Sequence, residues 1–155
     1  MLRPPYGRST IAILFASILF TTSCKHGKCE DGGSSNTDRD SHNAGRNCLS
    51  CHHPDGEGEG CWNIGGTIYD HAGNSPVAGV QFRLFTLPLG KGELRLSLQG
   101  DRTGNIYTSE GIDFGHGLFP AVINAAGDTA FMNESIHDGA CNRCHGESQA
   151  RVELP

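Results

Sequence analysis

Two short stretches of this chain carry the same chemistry. Cys48-Leu49-Ser50-Cys51-His52 and Cys141-Asn142-Arg143-Cys144-His145 are both Cys-x-x-Cys-His. Two thiols with two residues between them reach two neighbouring points on one planar group, and the His that follows turns its imidazole toward the centre of that group. This is the spacing by which c-type haem is attached. The thiols bond to the two vinyl groups, and the imidazole takes the iron from the proximal side. Four Cys in two pairs also suit a Cys₄ zinc site. Here, however, 89 residues lie between the pairs, against about 15–20 in a compact zinc ribbon. A thioredoxin-like redox pair requires a βαβ context that the sequence lacks. The expectation is two covalently attached haems held by Cys48, Cys51, His52, Cys141, Cys144 and His145, with zinc or disulfides as the alternatives.

The group opposite each proximal His decides the use of the iron. Iron with two strong protein ligands passes electrons with little rearrangement, whereas iron with an open side binds small molecules or peroxide. Three residues are candidate distal ligands. Met132 is the only Met beyond residue 23, and a Met ligand raises the haem potential relative to His. His53 directly follows the first motif, so it points to the neighbouring haem rather than its own. His116 sits in Phe114-Gly115-His116-Gly117, where the flanking Gly residues let a cofactor approach closely. Otherwise Met132 is a core filler at a strand end. His42 and His137 lie near their own motifs, and His26 and His71 read as solvent-exposed.

The N-terminus indicates the compartment. Arg3 and Arg8 precede an uncharged, mostly apolar run over residues 11–20, and Thr21-Thr22-Ser23 supplies small residues for cleavage. Residues 1–23 therefore read as an export signal, with an uncleaved membrane anchor as the alternative. Thr21-Thr22-Ser23-Cys24 resembles the lipobox of bacterial lipoproteins, with Thr21 where that family usually has Leu. The resemblance implies lipidation at Cys24, and Lys25 in place of Asp points to the outer membrane. Removing residues 1–23 leaves 10 basic against 17 acidic side chains, a net charge of −7. Of the seven Cys, four are assigned to haem and Cys24 to lipid. Cys29 and Cys61 remain, and in an oxidising compartment they would pair around the first motif.

The remainder of the chain must position these groups. A length of 155 residues suits one domain. The excess of acidic over basic residues, 17 to 12, argues against nucleic acid as a partner. Residues 24–47, rich in Gly, Ser, Asn and Asp, read as a flexible tether, and 48–61 as a loop. From residue 62 the pattern becomes that of strands. Val80, Phe82 and Leu84 alternate with Gln81 and Arg83, and Leu94, Leu96 and Leu98 alternate with charged and polar residues. Such period-two alternation marks strands with one buried face. About six strands are expected, at Trp62 to Tyr69, near Phe82, near Leu96, at 106–108, at 121–123 and at 129–132. The predicted fold is mainly β: a small antiparallel β-sandwich over 48–155, flanked by two haem-binding loop or short-helix segments.

Two further resemblances follow. Gly65-Gly66-Thr67-Ile68-Tyr69, Ser75 to Phe82 and Asp101 to Tyr107 resemble carboxypeptidase-regulatory-like, transthyretin-like sandwich domains, which imply a fold and no activity. The two motifs, the Gly-Thr-Ile-Tyr strand and Met132 ahead of the second motif resemble small di-haem c-type cytochromes of bacterial cell envelopes. This likeness implies an electron carrier rather than an enzyme. It would relay electrons between redox partner proteins of the envelope and be held by its lipid on the periplasmic or cell-surface side of the outer membrane. The rivals are a peroxidase-like enzyme or sensor with one open iron, and a zinc-stabilised surface binding domain. No paired acid–base set in a pocket-like context supports the enzyme.

Overall fold

The computed structural model describes Cys29, residues 33–37 and residues 41–155. The export signal, the lipidation site Cys24 and His26 lie outside the described residues.

Alternating burial builds the sandwich. Eight strands follow in order: β1 (Ile64–Tyr69), β2 (Gln81–Leu87), β3 (Lys91–Gln99), β4 (Asn105–Thr108), β5 (Phe119–Ile123), β6 (Thr129–Phe131), β7 (Gly139–Ala140) and β8 (Val152–Glu153). One sheet runs β3-β2-β5-β6 and is antiparallel throughout. Its pairs Phe82↔Leu98 and Leu84↔Leu96 place the alternating apolar residues on one face. The other sheet centres on β1, with β4 antiparallel on one edge and both β7 and β8 parallel on the other. Ile64, Ile68, Ile106 and Leu154 from this side meet Phe82, Leu84, Leu96, Leu98 and Val122 in one buried cluster. The chain is mainly β, as the alternation predicts. The parallel pairs β7 and β8 depart from a purely antiparallel sandwich. At two residues each, they are too short for any periodicity to mark.

The helical segments are small. A 3₁₀ turn spans Cys48–Ser50, and α1 spans Cys141–Cys144. The element α1 leaves the sheet between β7 and β8, both of which pair with β1. The second motif is thus a helical turn looped out of an interrupted edge strand.

Within the segment 24–47, the described residues pack on the sandwich. Ser35–Thr37 form a 3₁₀ turn, and Ser34 bridges to Thr108. Ser35 is buried, and its hydroxyl accepts the Tyr107 amide. Gly45 donates its amide to Thr67 Oγ1 at 2.8 Å. Polar side chains here satisfy backbone groups along the strands they cover, so the segment docks without apolar residues of its own. Asp101 anchors it further on. Its carboxylate, in a residue 1% exposed, accepts the Ser41 amide and hydroxyl, the Thr103 amide and hydroxyl, and the Asn105 amide. Burial alone would raise its pKa, but the hydrogen bonds from Ser41, Thr103 and Asn105 outweigh this and hold it below the usual carboxylate value.

Candidate functional site

Each Cys-x-x-Cys-His stretch closes one helical turn. In the first, the Cys48 carbonyl accepts the Cys51 amide at 3.2 Å and the His52 amide at 3.0 Å. In the second, the Cys141 carbonyl accepts the His145 amide at 3.1 Å. Residues three apart on a helical turn share a face, so both thiols of each motif present to one side. Cys48, Cys51, Cys141 and Cys144 are all free thiols, whereas Cys29 and Cys61 are joined in a disulfide with Cα atoms 4.9 Å apart. That bond closes a loop around the first motif.

Both imidazoles are held in the same tautomer. His52 Nδ1 lies 3.1 Å from the Glu59 carbonyl and 3.2 Å from the Gly60 carbonyl. His145 Nδ1 lies 2.6 Å from the Ala150 carbonyl. A carbonyl only accepts, so Nδ1 carries the proton and Nε2 keeps the lone pair that a metal needs. The His52 ring also stacks on Trp62, with centroids 3.6 Å apart and planes at 8°, and Trp62 stacks on Tyr107 at 4.4 Å. Gly58 lies against the same ring; a Cβ there would come within 2.7 Å of Nδ1. The Gly-rich stretch after the first motif therefore serves to wrap its His.

Strand β1 brings the two motifs together. Neighbouring residues of a strand face opposite ways. A Cβ on Gly65 would come 2.7 Å from the Cys48 Cβ, and one on Gly66 would come 2.8 Å from the Cys141 Cβ. Each first Cys thus rests on bare backbone, one on each side of β1. Gly66 shares its face with Ile64 and Ile68, and Cys141 accordingly packs against the core cluster. Cys48 lies on the outer face. Burial pushes the Cys48 thiol up, and burial followed by repulsion from Cys48 pushes Cys141 up to about 12. Both thiols are thereby held in their neutral form at neutral pH. Among the described residues, no three His, Cys, Asp or Glu side chains come together as a metal-binding group.

Asn142 fixes the arrangement. It is 2% exposed. Its Oδ1 accepts the Thr67 amide at 3.1 Å, and its Nδ2 donates to the Arg46 carbonyl at 2.9 Å and to Thr67 Oγ1 at 3.0 Å. The amide thereby fills the break between β7 and β8 in the ladder along β1. It also ties the second motif to the approach of the first.

A cleft of about 580 Å³ opens beside the second motif. Cys141, Cys144 and His145 line it, facing Phe82, Val122 and Met132. His137 lines it too, but Cys48, Cys51 and His52 do not. Of the distal candidates, the structure brings Met132 to the second motif. His53 and His116 are exposed and lie outside this cleft.

The sequence reading passed over Asn142, Gly65, Gly66 and the stack on His52. The Gly-Gly doublet inside a strand pattern was a usable signal, since Gly in a strand marks close backbone approach. Asn142 gave none, because it occupies a position that the motif leaves unspecified. No family model, curated protein or solved structure matches the chain, so its residues alone carry the functional reading.

Proposed function

We propose that this protein is a di-haem c-type cytochrome that relays electrons between redox partners of the cell envelope. The observation that carries the reading is the repeated donor set. Twice, two free thiols share one face of a helical turn, and the following His has Nδ1 bound to a backbone carbonyl and its lone pair on Nε2. A covalently held haem needs this set, and the apolar cleft beside the second turn fits a porphyrin face. Each thiol adds across one vinyl double bond. Sulfur bonds to one carbon and the thiol hydrogen goes to the other, so no oxidant is consumed. His52 and His145 are the proximal ligands, oriented by the carbonyls of Glu59, Gly60 and Ala150. Met132 is the distal ligand of the second site. A bound haem supplies an iron that exchanges one electron at a time. On the same reading, residues 1–23 are an export signal, and Cys24 carries a lipid that holds the domain at the outer membrane.

The test is the optical spectrum and mass of protein made in a host with c-type maturation machinery. Expected are two haems per chain that survive denaturation, with sharp reduced bands that carbon monoxide leaves unmoved. A colourless protein would overturn the reading. A carbon monoxide shift would instead favour the open-iron enzyme or sensor.

A further inference from the structure

Cys48 and Cys141 do not merely belong to one domain; they lie back to back across one strand. Their Cβ atoms rest against adjacent glycines on opposite faces of β1. They are close enough that charge on Cys48 raises the pKa of Cys141. A porphyrin bonded to each would therefore be attached at this one strand, from its two faces. Asn142 then holds a specific position. Its three hydrogen bonds, to the Thr67 amide, Thr67 Oγ1 and the Arg46 carbonyl, join the residue after Cys141 to the residue two before Cys48. All its donors and acceptors act across the gap between the motifs rather than within one of them. The surrounding network is continuous: Thr67 Oγ1 also accepts the Gly45 amide and donates to Asn105 Oδ1, and Asn105 Nδ2 donates to Ser41.

We infer that Asn142 is a positioning residue that locks the two haem-attachment turns across β1, so that the two haems act as one coupled electron-accepting pair rather than as two independent centres. This rests on the two-haem reading above. Two strongly absorbing rings held close at a fixed angle couple, and their Soret band in circular dichroism splits into lobes of opposite sign. Two nearby irons also interact by Coulomb's law, so oxidation of one raises the potential of the other.

The experiment is Soret circular dichroism, with haem count per chain, on the full mature protein and on Asn142→Ala. The wild type is expected to hold two haems and show a two-signed Soret band. Asn142→Ala is expected to keep two haems and lose the splitting. Where Asn142→Ala does not accumulate, Asn142→Asp replaces it; that variant retains the oxygen facing the Thr67 amide and loses both donated bonds. Thr67→Ser, which keeps the hydroxyl, is expected to retain the splitting. A single-signed band in wild type with two haems would overturn the coupled pair alone. A splitting unchanged in both Asn142 variants would overturn the role of Asn142. A wild-type protein without haem would overturn the reading beneath both.

Discussion

The two Cys-x-x-Cys-His turns share five positions of sequence logic and little of their surroundings. The first lies on the outer face of the β1 sheet. Its His52 is 5% exposed, pressed between Trp62 and the Gly58 backbone, with Nδ1 shared between two carbonyls. The second lies where the two sheets open, with Cys141 against the core and His145 half-buried on a single 2.6 Å bond. It faces an apolar cleft that contains Met132. The motif attaches a group; the wall built around it sets how that group behaves. Axial ligand, hydrogen bonds to the ligand and burial are the levers on a haem's potential. The two turns differ in the hydrogen bonds to their His, in its burial and in what lies beside it.

The largest expected effect tests whether the two turns are separate sites at all. Cys141→Ser with Cys144→Ser, and Cys48→Ser with Cys51→Ser, should each lower covalent haem from two per chain to one. Mass spectrometry of denatured protein reads this directly. Loss of both haems from either pair would mean that the turns form only together, and the contrast between them would collapse.

Next in size is the distal ligand. Met132→Ala should open the second iron, so that carbon monoxide shifts part of the reduced spectrum. It should also lower one potential by about 0.1–0.2 V, within the ~0.8 V that axial ligands span. The other potential should move less, by only what the Coulomb interaction between the two irons passes on. His116→Ala should leave the second site unchanged, since His116 is exposed and outside the cleft. Equal movement of both potentials by Met132→Ala would show that the cleft serves both sites.

A smaller effect belongs to the first site. Trp62→Ala removes the ring stacked on His52, and an aromatic pair contributes about 0.5–1.5 kcal/mol beyond its buried area. Stability should fall by about 1–3 kcal/mol, less than the full ~3–5 kcal/mol of a wholly buried Trp, because Trp62 is only half-buried. The larger shift should fall on the potential that Met132→Ala moves less. Trp62→Phe should restore most of both, as urea titration and redox titration together would report.

What the sequence disclosed about these regions follows from the range of the interactions. The alternation of Phe82 and Leu84 against Leu96 and Leu98 is local, and it marked the centres of β2 and β3 without their ends. The two motifs are local as well, so their helical turns were legible. The stack of His52 on Trp62 and Tyr107 joins residues up to 55 positions apart, and Asn142 reaches back 96 positions to Arg46. Neither leaves a periodic trace. The contacts of the segment 24–47 are hidden for a related reason. Its composition is that of a disordered chain, but Ser35 and Gly45 meet partners on the strands and Ser41 meets Asp101 in the turn between β3 and β4, and composition does not encode partners.

The smallest effect is set by pH and bears chiefly on the first turn. Asp101 holds Ser41, and Ser41 begins the docked segment that leads through Gly45 and Arg46 to Cys48. The folded-state pKa of Asp101 is lowered from an unfolded value of about 3.9. The stability it contributes is therefore present above pH ~4 and lost as pH falls through the folded value. At pH 7, Asp101→Asn should cost about 1–3 kcal/mol, since the amide leaves donors facing donors. Below the folded pKa the wild-type carboxyl is itself protonated, so the gap between the two proteins should narrow as pH falls. Amide exchange followed with pH should show residues 41–47 opening before β7, α1 and β8: Asp101 is buried under five hydrogen bonds, whereas Asp138, which accepts the Ala140 amide and the Arg143 guanidinium at the second motif, is exposed, and Asn142 and the strand ladders hold that motif to β1 besides. Equal opening of both segments would place the two turns in one cooperative unit, and their inequivalence would then lie in the haem surroundings alone.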